Sequence, residues 1–168
     1  MTQPILFVDI DGVLNSERFF AKQSKRGITI FHDNAHLFDP DAVALLNRII
    51  TATNCLVVVS SSWRVFWSLE DILRWMRQAG YAGQIHGKTP VIDGGDRRHL
   101  EIERWLYLND AQETPHVAID DDPGPPGNVQ WVVTTYAEGL TAAKAAEAVG
   151  FLLKGPGEAS RISSKRPR

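Results

Sequence analysis

The strongest constraint on the fold lies at residues 5–14, which read Ile-Leu-Phe-Val-Asp-Ile-Asp-Gly-Val-Leu. An apolar run that begins at Ile5 ends on the carboxylate of Asp9, and a second carboxylate, Asp11, follows two residues later. A continuous rather than alternating apolar run is typical of a buried strand in a parallel sheet. Ligands of such sheets bind beyond the carboxyl ends of the strands. Both aspartates are therefore predicted to lie at the edge of the sheet where ligands bind.

The pair Asp9 and Asp11 also brings two negative charges close together. Like charges at this spacing destabilise each other unless a cation or a proton offsets them. Hard cations with oxygen ligands, Mg²⁺ above all, are the natural partners of paired carboxylates. The sequence therefore predicts Mg²⁺ as a cofactor.

Strand and helix patterns alternate along the rest of the chain. Further strands are predicted at residues 55–59, 84–86, 117–119 and 129–133, and helices at residues 39–51, 69–79, 97–108 and 141–153. A small hairpin or flap is predicted between residues 15 and 33, and Leu100, Trp105 and Leu108 are expected to face inward. Such alternation predicts an α/β fold, a Rossmann-like three-layer sandwich with a mainly parallel five-stranded sheet.

Composition predicts one globular domain over residues 1–153. The 168 residues are 43% hydrophobic and carry a net charge of -2, which argues against a dedicated polyanion binder. Residues 154–168 are basic and are predicted to form a disordered tail. The single Cys55 fits a reducing compartment, and no apolar run approaches the ~18 residues needed to span a bilayer. A cytoplasmic location is predicted.

Three predicted strands end in polar side chains: Asp9, Ser60 and Asp120. The carboxyl ends of parallel strands meet at one edge of the sheet, so these side chains are expected to share a site. Asp9 and Asp120 can bind Mg²⁺ there. Ser60, with a basic side chain from Arg98 or Lys88, can hold a phosphoryl group, whose charge must be neutralised during its transfer.

These residue types suit the hydrolysis of a phosphate ester. Asp9 is placed to attack phosphorus as a nucleophile, which would give an aspartyl-phosphate. Asp11 can protonate the leaving oxygen and then deprotonate the attacking water. The chain lacks the full Gly-x-x-x-x-Gly-Lys-Ser/Thr loop with which nucleotide kinases bind phosphates. A Mg²⁺-dependent phosphatase is therefore the predicted activity.

Four segments, in order, resemble the motifs of the haloacid dehalogenase (HAD) superfamily. Residues 7–15, Phe-Val-Asp-Ile-Asp-Gly-Val-Leu-Asn, resemble the first motif, and residues 57–60 resemble the second, a strand that ends in Ser or Thr. Residues 98–106 resemble the third motif, a basic residue at a helix start, and residues 117–121 the acidic fourth. The stretch 60–64, Ser-Ser-Ser-Trp-Arg, resembles small HAD phosphatase domains associated with RNA repair.

The resemblance implies a role for each site residue. Asp9 would be the nucleophile, Asp11 the general acid and base, and Ser60 a phosphate ligand. Mg²⁺ would bind Asp9, the Asp11 carbonyl and either Asp120 or Asp121.

Two assignments stay open at this point. The basic residue on the phosphate is usually Lys in this superfamily, whereas here Arg98, Arg97 and Lys88 compete, and Arg98 is favoured. Ser60 is favoured among three consecutive serines because it directly ends the apolar run.

Many HAD enzymes carry a cap domain over the site, and the gaps between the motifs here are too short for a full cap. The resemblance implies that capless members act on bulky substrates, such as nucleic-acid ends or phosphoproteins. Trp63, Arg64 and Trp67 are predicted to contact such a substrate. The alternatives are a small-metabolite or nucleotide phosphatase, and a non-enzymatic phosphate-binding or regulatory module on the same fold.

Overall fold

The computed structural model describes residues 3–26, 37–93, 97–125 and 127–154. The strands are β1 (Ile5–Val8), β2 (Leu56–Val59), β3 (Ile85–Lys88), β4 (His116–Asp120) and β5 (Trp131–Val133). The helices are α1 (Glu17–Lys25), α2 (Pro40–Thr53), α3 (Trp63–Phe66), α4 (Leu69–Gln78), α5 (Arg98–Leu108) and α6 (Ala142–Leu153). The strands form a single sheet of five in the order β3-β2-β1-β4-β5, and every pair is parallel. The predicted α/β fold with a five-stranded sheet is confirmed.

The strand order reverses direction between β1 and β4. The chain moves outward from β1 through β2 to β3, and then returns to place β4 on the other side of β1. A reversal of this kind leaves a crevice at the carboxyl ends of the two central strands, which is where ligands bind in open α/β sheets. Asp9 directly follows β1 and Asp120 ends β4, so the topology places both at this crevice.

Helices cover both faces of the sheet. On one face, α2, α4 and α6 pack on alternate strand residues in a core that includes Val8, Val59 and Ile119. On the other face, Ile102 and Leu106 of α5 pack with apolar residues of β1, β2 and β4. The central strands β1, β2 and β4 are buried on both sides, which explains why their sequences are almost continuously apolar.

Cap residues set the ends of the helices that flank the central strands. Asp39 accepts a hydrogen bond from the backbone N–H of Asp41 at the start of α2, and Ser68 does the same for Asp71 in α4. Gly80 ends α4 with a positive φ of 98°, a conformation that favours glycine. The helices that these residues cap were predicted at residues 39–51 and 69–79, within two residues of the observed bounds of α2 and α4.

Two sequence predictions were wrong. Residues 17–25 form α1 instead of part of a hairpin, with Ser16 as the N-cap, while residues 27–36 lie outside the described residues. In α5 the buried apolar residues are Ile102 and Leu106, whereas Leu108 is 58% exposed. A disordered tail was predicted for residues 154–168. All of these residues except Lys154 lie outside the described part of the chain.

The connections on either side of β2 contain helices and no separate lid domain, as far as the described residues show. Described residues between β1 and β2 form α1 and α2, and those between β2 and β3 form α3 and α4. Apolar residues of α2 and α4 belong to the core of the main domain. None of the helices in the described ranges is long and apolar enough to cross a membrane.

Candidate active site

One row of polar residues crosses four strands at the carboxyl edge of the sheet. Parallel pairing extends one residue beyond β1, β2 and β3 through backbone hydrogen bonds of 2.9–3.1 Å. The register then aligns Asp9 with Asp120 on one side and with Ser60 on the other. Thr89 continues the row beyond Ser60. Side chains alternate along a strand, so the row faces the α5 side of the sheet.

Three carboxylates meet at the β1–β4 end of this row, two from the row itself and one from the residue that follows β4. Oxygen atoms of Asp9, Asp120 and Asp121 lie within 4.8 Å of one another. Burial, followed by the charge of Asp9, raises the pKa of Asp120 to about 8. Burial also raises the pKa of Asp9 and of Asp121 above the ordinary value for a carboxyl group. These groups are held together at a cost that a bound cation would offset.

Gly12 lets Asp121 approach the first loop. Gly12 has a φ of +69°, and a Cβ added to it would lie 2.3 Å from the Cγ atom of Asp121. Any side chain at this position would therefore displace the Asp121 carboxylate or strain the backbone. The glycine of the Asp-Ile-Asp-Gly stretch is thus needed both for its conformation and for the space it leaves to Asp121.

Arg98 is the basic residue that the structure brings to the carboxylates. Its Nε lies 3.3 Å from Oδ2 of Asp120, and its Nη2 lies 3.8 Å from Oδ2 of Asp9. Arg97 is exposed, and Lys88 donates from Nζ to the carbonyl oxygen of Arg64 at 3.1 Å. Of the three basic residues considered from the sequence, Arg98 is therefore the one with the geometry of a site residue.

Several buried polar atoms of the row and of Arg98 lack a hydrogen-bond partner among the described residues. They are Oγ of Ser60, Oγ1 of Thr89, and Nε and Nη1 of Arg98. Buried polar groups usually have partners, so a cluster of unpaired ones suggests a place for a polar ligand. Ser61 differs from Ser60, since its hydroxyl contacts Asp9 and accepts from the backbone N–H of Trp63.

Asp11 lies apart from the three-carboxylate group and has its own partners. The indole Nε1–H of Trp63 donates to Oδ2 of Asp11 at 2.9 Å, and Nδ2 of Asn15 donates to Oδ1 at 2.8 Å. The side chain of Asp11 is thus not among the grouped carboxylates. The proposed contact through its backbone carbonyl stays a prediction.

A model of the HAD domain in Swiss Army Knife RNA repair proteins matches residues 5–145. The chain belongs to this family. No curated protein and no solved structure matched the chain. The resemblance seen in the four motifs, and its link to RNA repair, are confirmed, and the domain is an HAD-type hydrolase. The matched range contains every residue of the polar row.

The donor set of this HAD domain fits a magnesium ion. Asp9, Asp120 and Asp121 supply carboxylate oxygens, the ligand type that Mg²⁺ prefers. Burial raises the pKa of Asp9 and of Asp120 although Arg98 lies close to both, so a bound cation would offset negative charge that Arg98 does not. These three residues would hold the ion.

Arg64 is a structural residue of the HAD domain and not a substrate contact as expected from the sequence. Its guanidinium is 3% exposed, pairs with Glu101 of α5, and donates to the carbonyl oxygens of Ser61, Thr89 and Pro90. The reason is that α3 turns this side chain inward between β3 and α5. A buried arginine with a buried glutamate fixes these segments relative to one another, because neither charge can be left without its partner.

Thr89 and Asn15 are site residues that the sequence did not single out. Thr89 directly follows β3, which ends at Lys88. The sequence predicted that this strand ends at His86, so Thr89 was not recognised as a strand-end residue aligned with Ser60. Asn15 belonged to a segment predicted as a flap. The signal for Thr89 was its position directly after a strand that runs beside β2, the same signal that identified Asp9 and Ser60.

Proposed function

We propose that this HAD domain is a Mg²⁺-dependent phosphatase that removes a phosphoryl group from the end of an RNA. The observation that carries the proposal is that the carboxylates of Asp9 and Asp120 lie beside the Arg98 guanidinium and in one row with the Ser60 hydroxyl, which has no hydrogen-bond partner among the described residues. The carboxylates suit a metal ion, and the hydroxyl and guanidinium suit a phosphate.

Asp9 is the proposed nucleophile. Its Oδ1 accepts a hydrogen bond from the backbone N–H of Ile10 at 2.7 Å, which orients the carboxylate and leaves Oδ2 for attack on phosphorus. Arg98 and the Ser60 hydroxyl would bind the phosphoryl oxygens while the Asp9 oxygen–phosphorus bond forms. A bound Mg²⁺ would supply further neutralisation of the charge on those oxygens.

Asp11 is the proposed general acid and base. As the bond from phosphorus to the leaving oxygen breaks, Asp11 gives that oxygen a proton, so that the product is a neutral alcohol. In the second step Asp11 takes a proton from water, whose oxygen attacks phosphorus and releases the Asp9 carboxylate. The two steps return both aspartates to their starting state.

Two observations support an RNA substrate. The matching family is described as the HAD domain of RNA repair proteins. In the structure, α3 begins directly after the three consecutive serines that follow β2. Its last residue, Phe66, is 76% exposed and offers a large apolar side chain on which a base can stack. A nucleic acid could extend from the row across this helix, and a small phosphate ester could not.

Hydrolysis rates on substrates of increasing size test the proposal. We expect kcat/KM for an oligoribonucleotide with a terminal phosphate to exceed that for the matching mononucleotide by at least about tenfold, or ~1.4 kcal/mol. Phe66→Ala should reduce this ratio, whereas Tyr107→Ala, at an exposed aromatic on α5, should not. Equal rates on both substrates, or a preference for a phosphopeptide, would contradict the RNA assignment. Loss of all hydrolysis in Asp9→Asn separates these outcomes from a contaminating activity.

A further inference from the structure

Both oxygens of the Asp11 carboxyl group are held by neighbouring side chains. Trp63 donates from its indole Nε1–H to Oδ2, and Asn15 donates from Nδ2 to Oδ1. The orientation of the Asn15 amide is itself fixed, because its oxygen accepts a hydrogen bond from the backbone N–H of Gly12 at 3.1 Å. Two donors on two oxygens prevent the carboxyl group from rotating.

Trp63 is well suited to this task. An indole N–H can only donate, so the contact with Asp11 has one direction whatever the state of its surroundings. The ring is fixed by edge contacts with Phe38 and Trp75, at centroid distances of 5.4 and 6.1 Å. Its backbone N–H donates to the hydroxyl of Ser61, which also contacts Asp9. Trp63 therefore connects the acid–base residue to the loop that follows β2.

We infer that Trp63 is a positioning residue that holds the Asp11 carboxyl group in the orientation from which it delivers its proton. The inference rests on the proposed phosphatase function and adds the residue that controls its proton transfer. In the step concerned, the Asp9 oxygen–phosphorus bond forms and the bond from phosphorus to the leaving oxygen breaks. The proton of Asp11 moves to that oxygen, and the Asp11 carboxylate remains bound to the Trp63 N–H.

The need for this proton depends on the leaving group, and that dependence separates positioning from a structural role. A nitrophenolate leaves as a stable anion, whereas an alkoxide, such as the ribose oxygen of a nucleotide, must be protonated as it leaves. A misplaced Asp11 therefore slows the alkyl ester more than the aryl ester. A variant with a generally damaged site would slow both esters to the same extent.

The experiment compares kcat/KM for an alkyl phosphate and for nitrophenyl phosphate, because this constant reports the step that breaks the ester bond. Trp63→Phe is expected to lower the value for the alkyl ester by about tenfold or more and that for the aryl ester by less than about threefold. Asp11→Asn should show the same pattern, more strongly. Trp105→Phe, the same change in a partly buried ring of α5 that packs on Phe7, should leave the ratio unchanged.

An equal loss on both esters in Trp63→Phe, or no loss on either, would overturn the inference. If Trp63→Phe does not fold, benzothienylalanine can be placed at position 63, because it retains the ring shape and replaces the N–H by sulfur. The ratio of kcat/KM for the alkyl ester to that for the aryl ester is expected to fall in this variant as well. The proposed function has its own test in Asp9→Asn, which should abolish hydrolysis of both esters. Hydrolysis that survives in Asp9→Asn would refute the proposed function. An unchanged ester ratio in Trp63→Phe, with hydrolysis abolished in Asp9→Asn, would refute only the proposed role of Trp63.

Discussion

The buried acidic group should make the metal-free protein less stable as the pH rises. Burial and the charge of Asp9 raise the pKa of Asp120 to about 8 in the folded state, while the ordinary value of 3.8 applies in the unfolded chain. Between these values the folded state binds a proton that the unfolded state does not. The contribution of the Asp120 proton to the free energy of unfolding is therefore fully present below the unfolded pKa of 3.8. That contribution is lost as the pH rises through the folded pKa of about 8.

The size of this effect follows from the two pKa values. One proton of difference changes the free energy of unfolding by about 1.4 kcal/mol per pH unit, and the effect lessens near pH 8, where the folded state itself loses the proton. From pH 6 to pH 8 the free energy of unfolding should fall by about 2 kcal/mol. For a domain of this size that corresponds to a decrease in Tm of about 4–8 °C.

Thermal or urea unfolding in excess chelator at pH 6, 7 and 8 measures the effect. Asp120→Asn should remove the Asp120 share of this dependence, about 2 kcal/mol between pH 6 and pH 8, and stabilise the metal-free protein at pH 8. Asp122→Asn, an exposed neighbour on the same turn, should retain the wild-type dependence. Added Mg²⁺ should stabilise the wild-type protein more at pH 8 than at pH 6, because the metal competes with protons for the carboxylates. A wild-type stability that does not change with pH, or that changes equally in Asp120→Asn, would refute this account of the acidic group.

Two further variants test the contacts that organise the site. Glu101→Gln leaves the buried charge of Arg64 without its partner and should lower the free energy of unfolding by about 3–5 kcal/mol in urea titrations, whereas Glu147→Gln, in an exposed pair with Lys144, should cost less than about 1 kcal/mol. Gly12→Ala should displace Asp121 and so weaken Mg²⁺ binding at least about tenfold in calorimetry, whereas Gly80→Ala, where a Cβ meets open space, should not. Equal Mg²⁺ affinities of Gly12→Ala and the wild-type protein would show that the Gly12–Asp121 contact does not matter for the metal.

The sequence sufficed to predict the parts of the fold that depend on local pattern. β1, β2 and β4 are apolar runs that end in polar residues, and their carboxyl ends meet in any parallel sheet. This is why Asp9, Ser60 and Asp120 were identified together before the structure was known. The cap residues Asp39 and Ser68 likewise act on their own helices, so their function is visible within four residues of sequence.

The remaining features depend on contacts between distant segments. Arg64 was expected to contact the substrate, and its burial depends on Glu101, which lies 37 residues away. The hydrogen bond from Trp63 to Asp11 joins residues 52 positions apart. Thr89 is aligned with Ser60 by a strand register that contains a bulge. None of these partners could be paired from sequence pattern alone.

Detection of a phosphoryl group on Asp9 during turnover tests the central claim most directly. An oligoribonucleotide with a radiolabelled terminal phosphate is mixed with the enzyme and Mg²⁺, quenched in acid within one turnover, and the protein is digested and mapped. The account predicts label on the peptide that contains Asp9, lost on treatment with hydroxylamine, as expected of an acyl phosphate, and absent in Asp9→Asn. Full turnover with no labelled protein at any quench time, or label on a different residue, would contradict it.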